Sequence, residues 1–154
     1  MAAMSNELIA ALESDESGDL DEIVRRRRQE DFETLLRLLS MDASDKQAHR
    51  VKALYALGRW GNPAAVPAIR RLLPHLDEDE RTRAIDALGR LGTREALQSI
   101  LAYANDASLF VRKFVTLALG RIGAPEARAK LKEIERSDPA EHIRALASRC
   151  LSQA

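Results

Sequence analysis

Ala56-Leu57-Gly58-Arg59, with a further Gly at 61, returns as Ala87-Leu88-Gly89-Arg90 with Gly92, and as Ala118-Leu119-Gly120-Arg121 with Gly123. Each return falls 31 residues after the one before. An exact period of this length implies one supersecondary unit stacked on copies of itself. Before each Ala-Leu-Gly-Arg the apolar residues fall at helical spacing. Ala84, Ile85, Leu88 and Leu91 share one face of a 3.6-residue period, as do Val111, Val115, Ala118, Leu119 and Ile122. Trp60, Leu91 and Ile122 hold one equivalent place, so Trp60 reads as a core residue and not as a binding aromatic.

The two glycines of each copy differ in role. Gly61, Gly92 and Gly123 follow the last periodic residue, where a left-handed cap suits Gly. Gly58, Gly89 and Gly120 lie inside the helix, at a cost of roughly 1 kcal/mol each relative to Ala. A missing side chain there predicts the close approach of a neighbouring helix. After the cap, Asn62-Pro63, Thr93-Arg94 and Ala124-Pro125 suit the start of a second helix. Its apolar stripe is Ala65, Ile69 and Leu72, then Ala96, Ile100 and Tyr103, then Ala127, Leu131 and Ile134. Asp138-Pro139-Ala140-Glu141 reads as an N-cap, a first-turn Pro and a capping Glu. The unit is thus two antiparallel helices of about 12 residues each.

An Arg eight residues before the inner Gly, then Ala-Leu-Gly-x-x-Gly, a turn and an apolar second helix resemble the HEAT repeat, in the HEAT-like form associated with phycobilisome lyases. Arg50, Arg81 and Arg112 hold the Arg position, and Arg144 holds it in a worn fourth copy where Ser152 replaces Gly. The resemblance implies an all-α, right-handed α-solenoid of stacked antiparallel helix pairs. It also implies that the Arg series is structural. Pairing with acids of the preceding turn, Asp106 with Arg112 and Asp138 with Arg144, is the expected form; a ligand-binding ladder is the alternative.

Residues 19–154 read as the repeat domain: a degenerate capping repeat at 19–41, repeats at 44–76, 77–105 and 106–136, and a half repeat at 137–154. In the capping repeat Arg25-Arg26-Arg27-Arg28 replaces Ala-Leu-Gly-Arg, followed by the amphipathic Phe32, Leu35, Leu36, Leu38 and Leu39. The Arg run reads as a solvated cap: acids surround it, and successive helical residues point about 100° apart. Residues 1–18 form an acidic segment, partly disordered or with one short helix over Asn6 to Glu13. The net charge is zero, yet residues 1–22 hold seven acids and no base. Such a segment is either solvated or an arm that competes for a basic groove. Its deletion is expected to leave the helical signal largely unchanged.

The sequence offers little for catalysis. His49, His75 and His142 fall in turns or helix starts, with no zinc-type spacing. Cys150 is alone, which rules out an internal disulfide, and it stands at the equivalent of Ala118 as a small buried residue. Phosphate-loop and nucleophile-elbow patterns are absent. We therefore expect no catalytic residue, no metal and no cofactor. Without a targeting signal or membrane span, a cytoplasmic monomer is the expected form.

What remains is surface. In a HEAT array the second helices line the concave side, so the expected partner-binding residues are Arg37, Arg70, Arg71, Gln98, Ser99, Tyr103, Lys130 and Lys132, with Glu133 beside them. This mixed, mildly basic face suits another protein or a peptide. Nucleic acid is the alternative, and an accessory role in chromophore attachment, which the lyase-type resemblance suggests, is a third reading.

Overall fold

In the computed structural model, which describes residues 5–40 and 47–153, the chain is all-α. The helices are α1 (Asn6–Glu13), α2 (Ser17–Arg26), α3 (Gln29–Leu39), α4 (Gln47–Trp60), α5 (Val66–Leu72), α6 (Glu78–Leu91), α7 (Arg94–Leu101), α8 (Leu109–Ile122), α9 (Pro125–Ser137) and α10 (Glu141–Ser152). They form an α-solenoid of two layers. Helices α2, α4, α6, α8 and α10 stack on one another as the first layer, and α3, α5, α7 and α9 as the second. The beginning of the 44–76 repeat lies partly outside the described residues.

The inner glycines are where the first layer closes. A Cβ on Gly58 would stand 2.8 Å from Ala87 Cα, and one on Gly89 would stand 2.6 Å from Ala118 Cβ. On Gly120 it would meet Cys150 Sγ at 2.8 Å. Real Cβ atoms do not approach so closely, so each helix rests its bare backbone on the small residue of the next. Cys150 fills the place of Ala118 in this series, half-buried, and burial pushes its thiol pKa up. The outer glycines cap as the pattern requires, with Gly92 and Gly123 both at φ 64°.

One continuous core runs through both layers. Leu54, Leu57, Ile85, Leu88, Val115 and Leu119 are fully buried in it, with Ile69, Ile100 and Leu131 from the second layer. Trp60 is 5% exposed and packs against Phe32 with ring centroids 5.5 Å apart, tilted by 45°. The second-layer helices are shorter than the pattern predicts in the middle of the chain. Pro63 and Pro74 hold α5 between single 3-10 turns, because proline lacks the donor that would extend the α-helix. Similarly, α10 begins at Glu141 and not at Pro139, since Asp138 is committed elsewhere: its carboxylate accepts from Ala140 N–H and from Arg112.

The acidic N-terminal segment is not a free arm. Residues 6–13 form α1, and its Leu8, Ala11 and Leu12 are buried in the same core as the repeats. Lys52 Nζ, from α4, donates to Leu12 O and Ser14 O at 2.7 Å each, satisfying carbonyls that the end of α1 leaves open. Deletion of residues 1–18 would therefore strip apolar side chains from the core. At the cap, Arg25 and Arg26 pair with Glu22, while Arg26 and Arg28 pair with Glu7.

Candidate binding face

The Arg series ties successive turns together along one edge. Arg81 donates to Asp106 Oδ2 at 3.1 Å and to Leu76 O at 2.9 Å. Arg112 donates to Asp138 Oδ2 at 2.9 Å and to Asp106 O at 2.9 Å, and Arg144 donates to Asp138 O at 2.7 Å. Arg50 pairs with Glu80, the buried acid of the capping box that opens α6. The expected pairing with the preceding turn is thus corrected. For Arg81 and Arg112 that turn supplies a backbone carbonyl and the carboxylate comes from the next repeat. The guanidinium has enough donors to serve both, and it bridges two turns that stacking brings side by side. The Arg50, Arg81 and Arg112 side chains are 12–26% exposed and committed to the protein.

The second layer presents the other predicted residues. Arg70 on α5 donates through Nε to Ser99 Oγ on α7 at 2.9 Å, and Ser99 Oγ donates in turn to Glu95 O. Gln98 on α7 donates to both Glu126 carboxylate oxygens on α9 at 3.0 Å. The structure therefore joins α5, α7 and α9 by polar links on their exposed sides. Arg37 turns back within α3, donating to Thr34 Oγ1 at 2.9 Å. Lys130 Nζ pairs with Glu133 at 2.5 Å. Arg71 and Lys132 are exposed and have no ion-pair partner among the described residues. Tyr103 is half-buried, with the Arg81 guanidinium 5.8 Å from its ring centroid, so its aromatic face is occupied from within the protein.

Acids interrupt the bases across this face. Hydrogen bonds from its own backbone and from the Thr93 hydroxyl, with Arg70 and Arg94 nearby, hold the Glu95 carboxyl below its ordinary pKa. The Lys130 hydrogen bond and charge do the same for Glu133. Both carboxylates are therefore charged at neutral pH, and the field over α7 and α9 is mixed.

Two features are not apparent from the repeat pattern. A polar cleft of about 400 Å³ opens between the turns at 104–107 and 137–139, with Lys130, Glu133 and Asn105 in its lining. It forms because those turns, 33 residues apart in sequence, stack in space. On the first layer, Phe110 is 60% exposed. Its signal lies in the sequence as Phe110, Phe114 and Leu117, a second apolar stripe on α8 beside the buried one. Among the described residues no three His, Cys, Asp or Glu side chains are grouped to hold a metal ion, and no helix is long and apolar enough to cross a membrane.

A stacked two-layer array with its polar residues committed between repeats defines a helical-repeat protein. Residues 74–152, just over half of the chain, match the family model for HEAT repeats, and residues 50–73 match that for the PBS lyase HEAT-like repeat. The chain belongs to the HEAT-repeat family. Its fold is similar to that in the structure of the complex of CpcE and CpcF of phycocyanin lyase from Nostoc sp. PCC7120, with a TM-score of 0.69. The match covers 96% of both chains at 17% identity, a level at which the likeness speaks for the fold. Comparison with curated proteins gives no match.

Proposed function

We propose that this chain is a noncatalytic binding module that holds another protein, or a peptide from one, against the exposed sides of α5, α7 and α9. The observation that carries the reading is the pair of cross-repeat links, Arg70 to Ser99 and Gln98 to Glu126. They fix the relative placement of three successive helices and so pre-organise one extended surface, which lowers the ordering cost of binding. Of the cations expected on this face, Arg71 and Lys132 are the two left without an ion pair or a side-chain hydrogen bond among the described residues to meet the partner. The carboxylates of Glu95, Glu126 and Glu133 break up the positive field that phosphate backbones need. The structural likeness to a two-protein complex fits a chain that works with a protein partner.

Capture from host lysate tests this, with nuclease treatment and an Arg71→Glu/Lys132→Glu double reversal in parallel. The reading expects a protein that resists nuclease and is lost on reversal, at unchanged helicity. Capture that survives the reversal sinks the face assignment, and capture that vanishes with nuclease moves the reading to nucleic acid.

A second reading is favoured by the PBS lyase HEAT-like match and by the phycocyanin lyase named in the structural neighbour. Here the bound protein, or the chain itself, takes part in handling a chromophore. An absorbance titration with a free tetrapyrrole separates the two. A saturable spectral shift supports the chromophore role, and none leaves the module as a holder of protein alone.

A further inference from the structure

The first helical layer carries an apolar track that the fold does not require. With a period of 31 residues, Phe110, Phe114 and Leu117 on α8 stand where α6 has Asp79, Arg83 and Asp86, and where α4 has Ala48, Lys52 and Tyr55. The repeat stacks equally well with polar residues at these places; Phe114 rests partly on the core, but packing does not explain the exposed Phe110. The chain has only three Phe. Phe32 is in the core against Trp60, Phe114 is partly buried at the core's edge, and Phe110 is exposed on this outer side. Phe110, 60% exposed, is the large apolar side chain that the described residues leave open to solvent.

The surroundings define what the track would take. Phe110 and Phe114 line a cleft of about 290 Å³ together with Glu78, Asp79, Thr82 and Arg83. A second cleft of about 220 Å³ adjoins it through the same Arg83. Leu20, Val51 and Tyr55 line that one, together with Asp15 and Glu16. None of these four carboxylates forms an ion pair among the described residues. Lys52, the other cation in the second cleft, is spent on the carbonyls of Leu12 and Ser14. The geometry thus sets two apolar seats in a row, with Arg83 between them and a pair of acids at each that form no ion pair among the described residues.

We propose that this track, on the opposite layer from α5, α7 and α9, is a second docking site, and that its occupant is a basic amphipathic helix of a partner protein. Two apolar side chains on one face of that helix fill the seats, and Lys or Arg flanking them meets Glu78, Asp79, Asp15 and Glu16. Neighbouring helices pack roughly 8–10 Å apart, so the seats stand one to two such distances from each other. A helix rises about 1.5 Å per residue and spans that gap in roughly 5–13 residues. The four carboxylates in the lining disfavour nucleic acid and anionic lipid, which leaves a cationic protein segment as the fitting chemistry. The acidic N-terminal segment thereby gains a role in binding, since its α1–α2 turn supplies half of the carboxylates.

The test uses a labelled synthetic helix of roughly 18 residues with Leu and Phe on one face and Lys on the other, and a twin in which every Lys is Glu. Binding is followed by fluorescence anisotropy, and the contact surface by backbone amide shifts. The basic peptide is expected to bind with shifts at Val51, Tyr55, Phe110 and Phe114. Phe110→Ser should weaken it by about tenfold or more, as loss of a central aromatic anchor does. Asp79→Asn should weaken it and flatten its salt dependence, while the second-layer Arg71→Glu leaves it unchanged. The proposal is overturned if the acidic twin binds equally, if Phe110→Ser has no effect, or if the shifts fall on α5, α7 and α9. It is equally overturned if sedimentation shows the apolar track buried in a self-dimer that Phe110→Ser dissociates, or if the protein binds anionic vesicles through Phe110 in preference to the peptide. Because Arg71→Glu and Phe110→Ser act on different layers, failure here leaves the second-layer reading standing, and the converse holds.

Discussion

Replacing Gly89 by Ala should destabilise the protein, against the usual rule for a helix interior. In an open helix the change gains up to about 1 kcal/mol, because Ala loses less backbone freedom on folding. Here the new methyl would stand 2.6 Å from Ala118 Cβ and 3.0 Å from Ala118 Cα. Carbon atoms rest at about 3.5–4.0 Å, so α6 and α8 must part by about 1 Å. Overpacking of this kind costs about 1–3 kcal/mol. Set against the propensity gain, the net is a loss of about 0–2 kcal/mol. Gly18 supplies the control, since it lies in α2 and an added Cβ there meets nothing within 4 Å. Gly18→Ala should be neutral or stabilising by up to about 1 kcal/mol. Urea titration followed by circular dichroism reads both variants. In a chain of this size a difference of about 1 kcal/mol moves the thermal midpoint by about 2–4 °C. Adding Ala118→Gly to Gly89→Ala removes the nearer of the two clashing atoms, so the double variant should recover part of the loss. If Gly89→Ala stabilises the protein as much as Gly18→Ala does, the close-approach account of the inner glycines is wrong.

Other outcomes follow from the same packing. Leu88→Ala, at a fully buried position, should cost about 2–5 kcal/mol by urea denaturation. Arg112→Met leaves Asp138, whose side chain is 4% exposed, without its charge partner and should cost about 3–5 kcal/mol, whereas the exposed Arg71→Met should cost under about 0.5. Lys52→Met opens two hydrogen bonds at the end of α1, and hydrogen exchange should rise in residues 6–13 before it rises in α6 or α8. Burial raises the Cys150 pKa in the folded protein, so at about pH 8 less thiolate is present than in the unfolded chain. Its alkylation by iodoacetamide should therefore be slower in buffer than in urea, and an equal rate would contradict the packing of Cys150 on Gly120.

The period at Gly58, Gly89 and Gly120 makes most of the architecture legible, because a stacking contact that recurs must be written into the chain each time. Trp60 is readable as core for the same reason: its equivalents Leu91 and Ile122 carry no chemistry. What escapes is set by distance along the chain. Arg81 and Arg112 stand out in the sequence, but their carboxylates sit 25 and 26 residues downstream, where only stacking brings them within reach. The docking of α1 is hidden because eight residues followed by an acidic turn bury three side chains only once α2 and α4 are in place. The buried stripe of α8 draws attention away from Phe110, whose environment depends on the polar residues of α6 at the same register. The second-layer residues are placed by analogy with the repeat. Which of them link to each other, as Arg70 does to Ser99, is a property of helix separation that no single repeat encodes.

The most direct test of the binding-face account is hydrogen exchange on the chain with and without its captured protein partner. The account predicts slowed exchange in peptides covering residues 66–72, 94–101 and 125–137, abolished by Arg71→Glu/Lys132→Glu. Protection confined to α4, α6 and α8, with those three segments exchanging as in the free chain, would contradict it.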